Sequence, residues 1–172
     1  MVLRSLALAA LMSAGLVATA SAQAVAPNRS GFTMLLNVGV GFQHDELFGE
    51  TETGVAGVNL GLGGHLGDNL ALMFRVSGTT VSYGGTSQTS GTAGATLQYW
   101  VSDKLHLEGG AGAGVWAIED TSEGGLGLIL GAGYSIWNNA GHNLYVGVEY
   151  APAFTDPESV HNFGIVFGWQ LL

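Results

Sequence analysis

The chain has no cysteine. Disulfides therefore add nothing to its stability, a state compatible with export though no proof of it. Lys and Arg are almost as scarce. There are four, with Arg4 in the N-terminal leader, against thirteen Asp and Glu, for a formal net charge of −9. Nucleic acid requires basic patches, so a chain this acidic excludes it as a partner. Charged residues of either sign make up 10% of the sequence, where soluble domains carry about 25%. Yet no segment after residue 24 is long and apolar enough to be a membrane helix. A chain this poor in charge and without such a helix points to the other solution for spanning a bilayer, a closed β-barrel.

What is present begins with that leader. MVLRSLALAALMSAGLVATASA carries one positive residue, Arg4, an apolar run from Leu6 to Ala18, and small residues at Ala20 and Ala22. This reads as a secretory signal peptide over 1–22, cut after Ala22 or after Ala24; the apolar run is short for an anchor. Residues 23–30 then form a short periplasmic segment. Residues 31–172 form the single domain that this length accommodates.

Beyond residue 30 the sequence alternates. Neighbouring side chains in a strand point to opposite faces. Phe32, Met34, Leu36, Val38, Val40 and Phe42 are all apolar, whereas Thr33, Asn37, Gly39, Gly41 and Gln43 between them are small or polar. The same period of two recurs over 54–66, 70–83, 90–101, 105–116, 125–137, 143–154 and 159–171, which predicts eight strands. The second sets Ala56, Val58, Leu60 and Leu62 on the apolar face. The sixth places Trp137 on the small and polar face. The connections LGDN (66–69), SDK (102–104) and NNAG (138–141) read as tight turns. The opposite connections, 43–52, 83–88, 118–125 and 155–158, read as longer loops. An even number of antiparallel strands, with short turns on one side and longer loops on the other, is the layout of an up-and-down transmembrane β-barrel in the outer membrane, with both chain ends in the periplasm.

Alternation alone does not say which face meets water, since a soluble barrel also alternates with its apolar set inward. Its outer face must then be charged. Here the polar face holds only Arg75, Glu108 and Glu149 as permanent charges, among Gly, Ser, Thr, Asn, Gln and Ala. That composition suits a narrow lumen, which places the apolar set against lipid. Strand 105–116 contains Gly109, Gly110, Gly112 and Gly114. Glycine weakens a strand by about 0.5–1 kcal/mol relative to alanine. Inside an eight-stranded barrel, whose lumen side chains just fill, inward glycines make room for Met73, Arg75, Trp100, Trp116, Trp137 and Tyr145.

On this pattern the chain resembles the small OmpA/OmpX-type outer-membrane β-barrel proteins of Gram-negative bacteria, over about residues 31–172. The most specific stretch is NFGIVFGW, Asn162 to Trp169. With Asn162, Gly164, Phe167 and Trp169 it resembles the C-terminal signal read by the barrel-assembly machinery. The resemblance implies a monomer in the cell outer membrane with outer-membrane lipid, lipopolysaccharide and the assembly machinery as partners. No appended peptidoglycan-binding domain is expected.

Few residues suggest chemistry. Arg75 is the only Lys or Arg within a strand, and a charge in a closed interior must be paired. Arg75 is therefore expected to bridge Glu108 and Glu149 across the lumen, with His106 as a further partner. This cluster is either a structural plug or the gate of a narrow channel. Outward Phe32, Phe42, Tyr99, Tyr134, Tyr150, Phe163 and Trp169 are the expected aromatic girdles. Asp45, Glu46, Glu50, Glu52, Glu119, Asp120, Glu123, Asp156 and Glu158 fall in the longer connections, where oxygen ligands could hold divalent cations near lipopolysaccharide phosphates. Ser159 and His161 share the outward face near Asp156 and Glu158, as the parts of a lipid-modifying enzyme would. Without the surrounding motif, no catalytic residue is expected. The five histidines lack zinc spacing and the G-x-G runs precede no helix, so no metal or cofactor is expected. The sequence thus reads as a structural, surface-interacting outer-membrane barrel with a side-chain-filled lumen and short acidic extracellular loops. A narrow channel is the alternative and a lipid-modifying enzyme the third reading.

Overall fold

In the computed structural model residues 29–45, 51–83, 85–119, 121–139, 141–156 and 159–172 are described. The expected leader, and Glu46, Glu50, Asp120 and Glu158 among the acids, lie outside them. Nine strand segments follow one another: β1 (Gly31–Asp45), β2 (Thr51–Gly67), β3 (Leu70–Tyr83), β4 (Thr86–Trp100), β5 (Leu105–Ile118), β6 (Thr121–Asn139), β7 (His142–Tyr150), β8 (Ala153–Phe154) and β9 (Ser159–Leu171). Each pairs antiparallel with its neighbour. β1 also pairs with β9, from Met34 opposite Leu171 to Asp45 opposite Val160, so the sheet closes on itself. β7 and β8 are two parts of one stave, which makes a ring of eight. Closure leaves no open sheet edge in the wall, the condition for crossing hydrocarbon with strands.

The core is inverted relative to a soluble protein. The interior is polar, with Thr33, Asn37, Asn59, Arg75, Thr96, Gln98, His106 and Gln170 all buried. The exterior is apolar, with Phe74, Leu62, Val148 and Ile165 each more than half exposed. A continuous apolar belt of this extent marks a lipid-facing surface.

Parity holds along most staves and fails where the ladder slips. β1 and β2 shift register between Asn37 and Gly39, and β2 and β3 shift between Ala56 and Leu60. The extra residue changes which side chain points in. Ala56, expected outside, is 3% exposed, and its neighbour Val55 faces out at 65%. A second slip between Ser135 and Trp137 turns Trp137 outward, 47% exposed beside exposed Ile136, where the lumen was expected.

Two of the longer connections also shrink. β3 and β4 pair as far as Tyr83–Thr86, and β5 and β6 as far as Ile118–Thr121. Thr favours a pleated ladder, so the strands extend and the connections shorten to two positions. Positive φ at Gly85 (93°) and Glu119 (50°) closes them. The expected continuous strand 143–154 is broken instead at Ala151–Pro152, because proline has no N–H for the ladder. The Pro152 carbonyl accepts from the Leu128 N–H (3.1 Å) and the Thr92 hydroxyl (3.2 Å).

Candidate functional site

The candidate site is the lumen at the level of Arg75. Arg75 lies opposite Gly61 on β2 and Gly94 on β4. Glu149 on β7 lies between Gly131 and Gly164, and Glu108 on β5 between Gln98 and Gly131. Glycine beside each charged residue leaves lumen space for the long side chains. A Cβ added at Gly61, for example, would lie 2.5 Å from Arg75 Cδ.

Into that space Arg75, 1% exposed, extends its guanidinium. Nη1 donates to Glu108 Oε2 at 2.5 Å, and Nη2 donates to Glu149 Oε2 at 2.6 Å. The second carboxylate oxygens are held as well. Thr96 Oγ1 donates to Glu108 Oε1 at 2.7 Å, while Asn59 Nδ2 (3.1 Å) and the Ser77 hydroxyl donate to Glu149 Oε1. Fully hydrogen-bonded partners are what make a buried ion pair tolerable. The triad spans β3, β5 and β7, so it ties the barrel across its width.

Beside it lies a cavity of about 10 Å³ lined by Asn37, His106, Tyr145 and the triad, room for about one water. Arg75 Nε, Asn37 Oδ1 and His106 Nδ1 are buried without a protein hydrogen bond. His106 lines this cavity but is packed by rings: 4.8 Å from Trp100 and edge-on to Tyr145 at 5.0 Å. Asn37 Nδ2 donates to the Tyr145 hydroxyl (3.2 Å). Toward the turns that join β2–β3, β4–β5 and β6–β7, Gln98 and Gln170 bond each other across the lumen, and Gln170 also donates to Thr33.

The outward aromatics form two groups. Phe32, Tyr99, Tyr134 and Trp169 lie near the turn end, and the register brings Phe42, Phe163 and Tyr150 together at the hairpin end. Trp137 joins the first group; only its bulge, which the sequence pattern does not mark, sends it there. Asn162 points inward and donates to Ser90 Oγ (2.8 Å) and the Ala151 carbonyl (2.9 Å). Phe167 and Trp169 face out, Trp169 stacked on His142 at 5.7 Å, and Gly164 lies opposite Gly41 and Glu149. Nδ1 of His161 is 2.7 Å from the Tyr150 hydroxyl, on the outer face with exposed Asp156 nearby in sequence. Among the described residues no three His, Asp or Glu gather as a metal site. Arg29, a residue the strand pattern does not reach, is buried at the turn end.

No curated protein matches the sequence. Solved structures do. Ail, the attachment invasion locus protein of Yersinia pestis, aligns over 82% of this chain and 99% of its own, at 14% identity and a TM-score of 0.61. Ail in complex with the heparin analogue sucrose octasulfate aligns with a TM-score of 0.57 over the same shares. Neisserial surface protein A aligns over 83% and 97%, at 15% identity and a TM-score of 0.57. At such identities the likeness is one of fold. The sequence itself matches the family described as outer membrane protein beta-barrel domain over residues 6–170, and the chain, an eight-stranded outer-membrane barrel, belongs to that family.

Proposed function

We propose that this protein is a non-enzymatic surface component of the outer membrane, with a lumen closed by side chains and a role exerted through its exposed hairpins. The triad carries the reading. A guanidinium from β3 clamped by carboxylates from β5 and β7, with space for about one water beside it, leaves no continuous aqueous path at that level. On this reading a signal peptide is removed during export and both chain ends lie in the periplasm. The NFGIVFGW segment addresses the chain to the assembly machinery, and the two aromatic groups mark the membrane interfaces.

The hairpin end then faces outward. Its chemistry is acidic and hydroxylic: Glu52, Glu119, Glu123 and Asp156 lie there among Ser and Thr. Among the described residues no Lys or Arg lies on that side: Arg29 and Arg75 are buried and Lys104 sits in the β4–β5 turn. Binding of a sulfated polyanion, as the Ail complex has it, therefore does not transfer. Divalent cations bridging these carboxylates to lipopolysaccharide phosphates suit the surface better.

The runner-up, a narrow channel, draws on the lumen's buried polar atoms without protein partners, at Asn37, Gln43, Ser135 and Asn143. Planar-bilayer recording separates the two. The closed barrel gives no unitary current steps. Reproducible steps from the unmodified chain, lost on Arg75→Ala, would overturn it in favour of the channel.

A further inference from the structure

The mouth of the barrel at the turn end holds a second arrangement, distinct from the Arg75 triad. Arg29 precedes β1, yet it is 1% exposed. Its guanidinium lies over the Trp100 ring, 3.9 Å from the centroid. Nη1 donates to the Asp68 carbonyl and Nη2 to the Asp103 carbonyl, each at 3.3 Å. These carbonyls belong to different turns, one joining β2 to β3 and the other β4 to β5. The guanidinium therefore ties two turns to one ring.

Backbone contacts of the wall also shape the cradle around Arg29. The Trp100 backbone N–H donates to the Asn69 carbonyl (2.8 Å), which ties the end of β4 to the β2–β3 turn. Ser102 Oγ accepts from the Leu105 N–H at 3.1 Å, which shapes the β4–β5 turn. An indole face flanked by two fixed carbonyls is a preorganised receptor for a planar delocalised cation. Burial pulls the Arg29 guanidinium below its ordinary value, and the charges of Asp103 and Asp68 hold it up. Those two carboxylates thus favour any cation placed there.

We propose that the turn-end mouth of the barrel is a guanidinium-recognition site that the chain's own Arg29 fills, and that it accepts the guanidinium group of an external ligand once Arg29 is removed. The site makes Arg29 a latch on the barrel floor. It stands whether or not the Arg75 layer conducts, because it is read out by binding and not by current.

The experiment is a titration of the full-length barrel, processed as the cell delivers it, in nanodiscs with ¹⁵N-labelled tryptophan. Unmodified chain and Arg29→Ala are titrated with non-denaturing guanidinium chloride, with sodium and tetramethylammonium chlorides as matched controls. In Arg29→Ala the Trp100 indole signal is expected to move saturably toward its wild-type position. The unmodified chain and an Arg29→Ala/Trp100→Leu double variant show no saturable change in any tryptophan signal. If Arg29→Ala fails to fold, Arg29→Gln is read in the same way. A linear response equal to that of the unmodified chain, or an equal response to sodium, overturns the proposal.

Discussion

Arg75 is the residue on which most of the interior depends. It is the one permanent cation in the strands, and it neutralises one of the two carboxylates it touches. Removing it strands Glu108 and Glu149 in a closed lumen. Breaking a buried pair by removing one partner costs about 3–5 kcal/mol, so Arg75→Met is expected to destabilise the barrel by that amount. Glu149→Gln leaves the guanidinium bound to Glu108 and costs less. Urea unfolding of the barrel in lipid bilayers ranks the two, and an Arg75→Met midpoint equal to wild type contradicts the assignment. This triad was legible in the sequence because parity put one cation and two acids on the same face. His106 was legible as a lumen residue, but its role was not. Whether an imidazole joins an ion pair or packs between Trp100 and Tyr145 depends on cross-lumen distances, which no period of two encodes. Arg29 was illegible for a related reason: a residue ahead of the first alternating position has no parity.

Single strands show what the glycines are for. In β5 the inward Gly112 faces the β4 backbone, where a Cβ would run into the Ala93 carbonyl oxygen and Gly94 Cα. Backbone cannot step aside, so Gly112→Ala should force the β4–β5 pair apart. Overpacking of this kind costs about 1–3 kcal/mol. Gly109, on the outer face of the same strand, offers a contrast: its Cβ would meet only Leu130 Cδ2, at 3.6 Å. Gly109→Ala removes glycine's entropic penalty of about 0.5–1 kcal/mol and leaves stability equal or higher. Thermal shift of the folded band on unboiled gels compares the variants, and equal losses at both sites would sink the steric account. The strands were legible as elements because each alternates over ten or more residues. Their slips were not. Ala56 and Trp137 carry no local sign of a bulge, and one inserted residue reverses every orientation beyond it. The break at Pro152 had a visible cause, but the proline lay inside an otherwise alternating run.

At the scale of the whole molecule the determining fact is the reversal of inside and outside. Leu62, Phe74, Val148 and Ile165 face out, while Arg75, Gln98 and Gln170 are enclosed. That orientation was legible because the polar face was too poor in charge to serve as a solvent coat. The four tryptophans divide along it. Trp100 and Trp116 are 1% and 8% exposed within the lumen, whereas Trp137 is 47% exposed and Trp169 lies on the outer face against His142. Trp137 and Trp169 stand near the turn end, the level proposed as a membrane interface. Four single-tryptophan variants, the other three replaced by Phe, reconstituted with lipids brominated near the headgroup, read the arrangement directly. Emission from Trp137 and Trp169 is expected to be strongly quenched. Emission from Trp100 and Trp116 stays largely unquenched, since a wall of paired strands separates those rings from the lipid. Quenching of Trp100 as deep as that of Trp137 would mean that the lumen and lipid faces had been exchanged, and the triad would lose the enclosed surroundings on which its energetics rest.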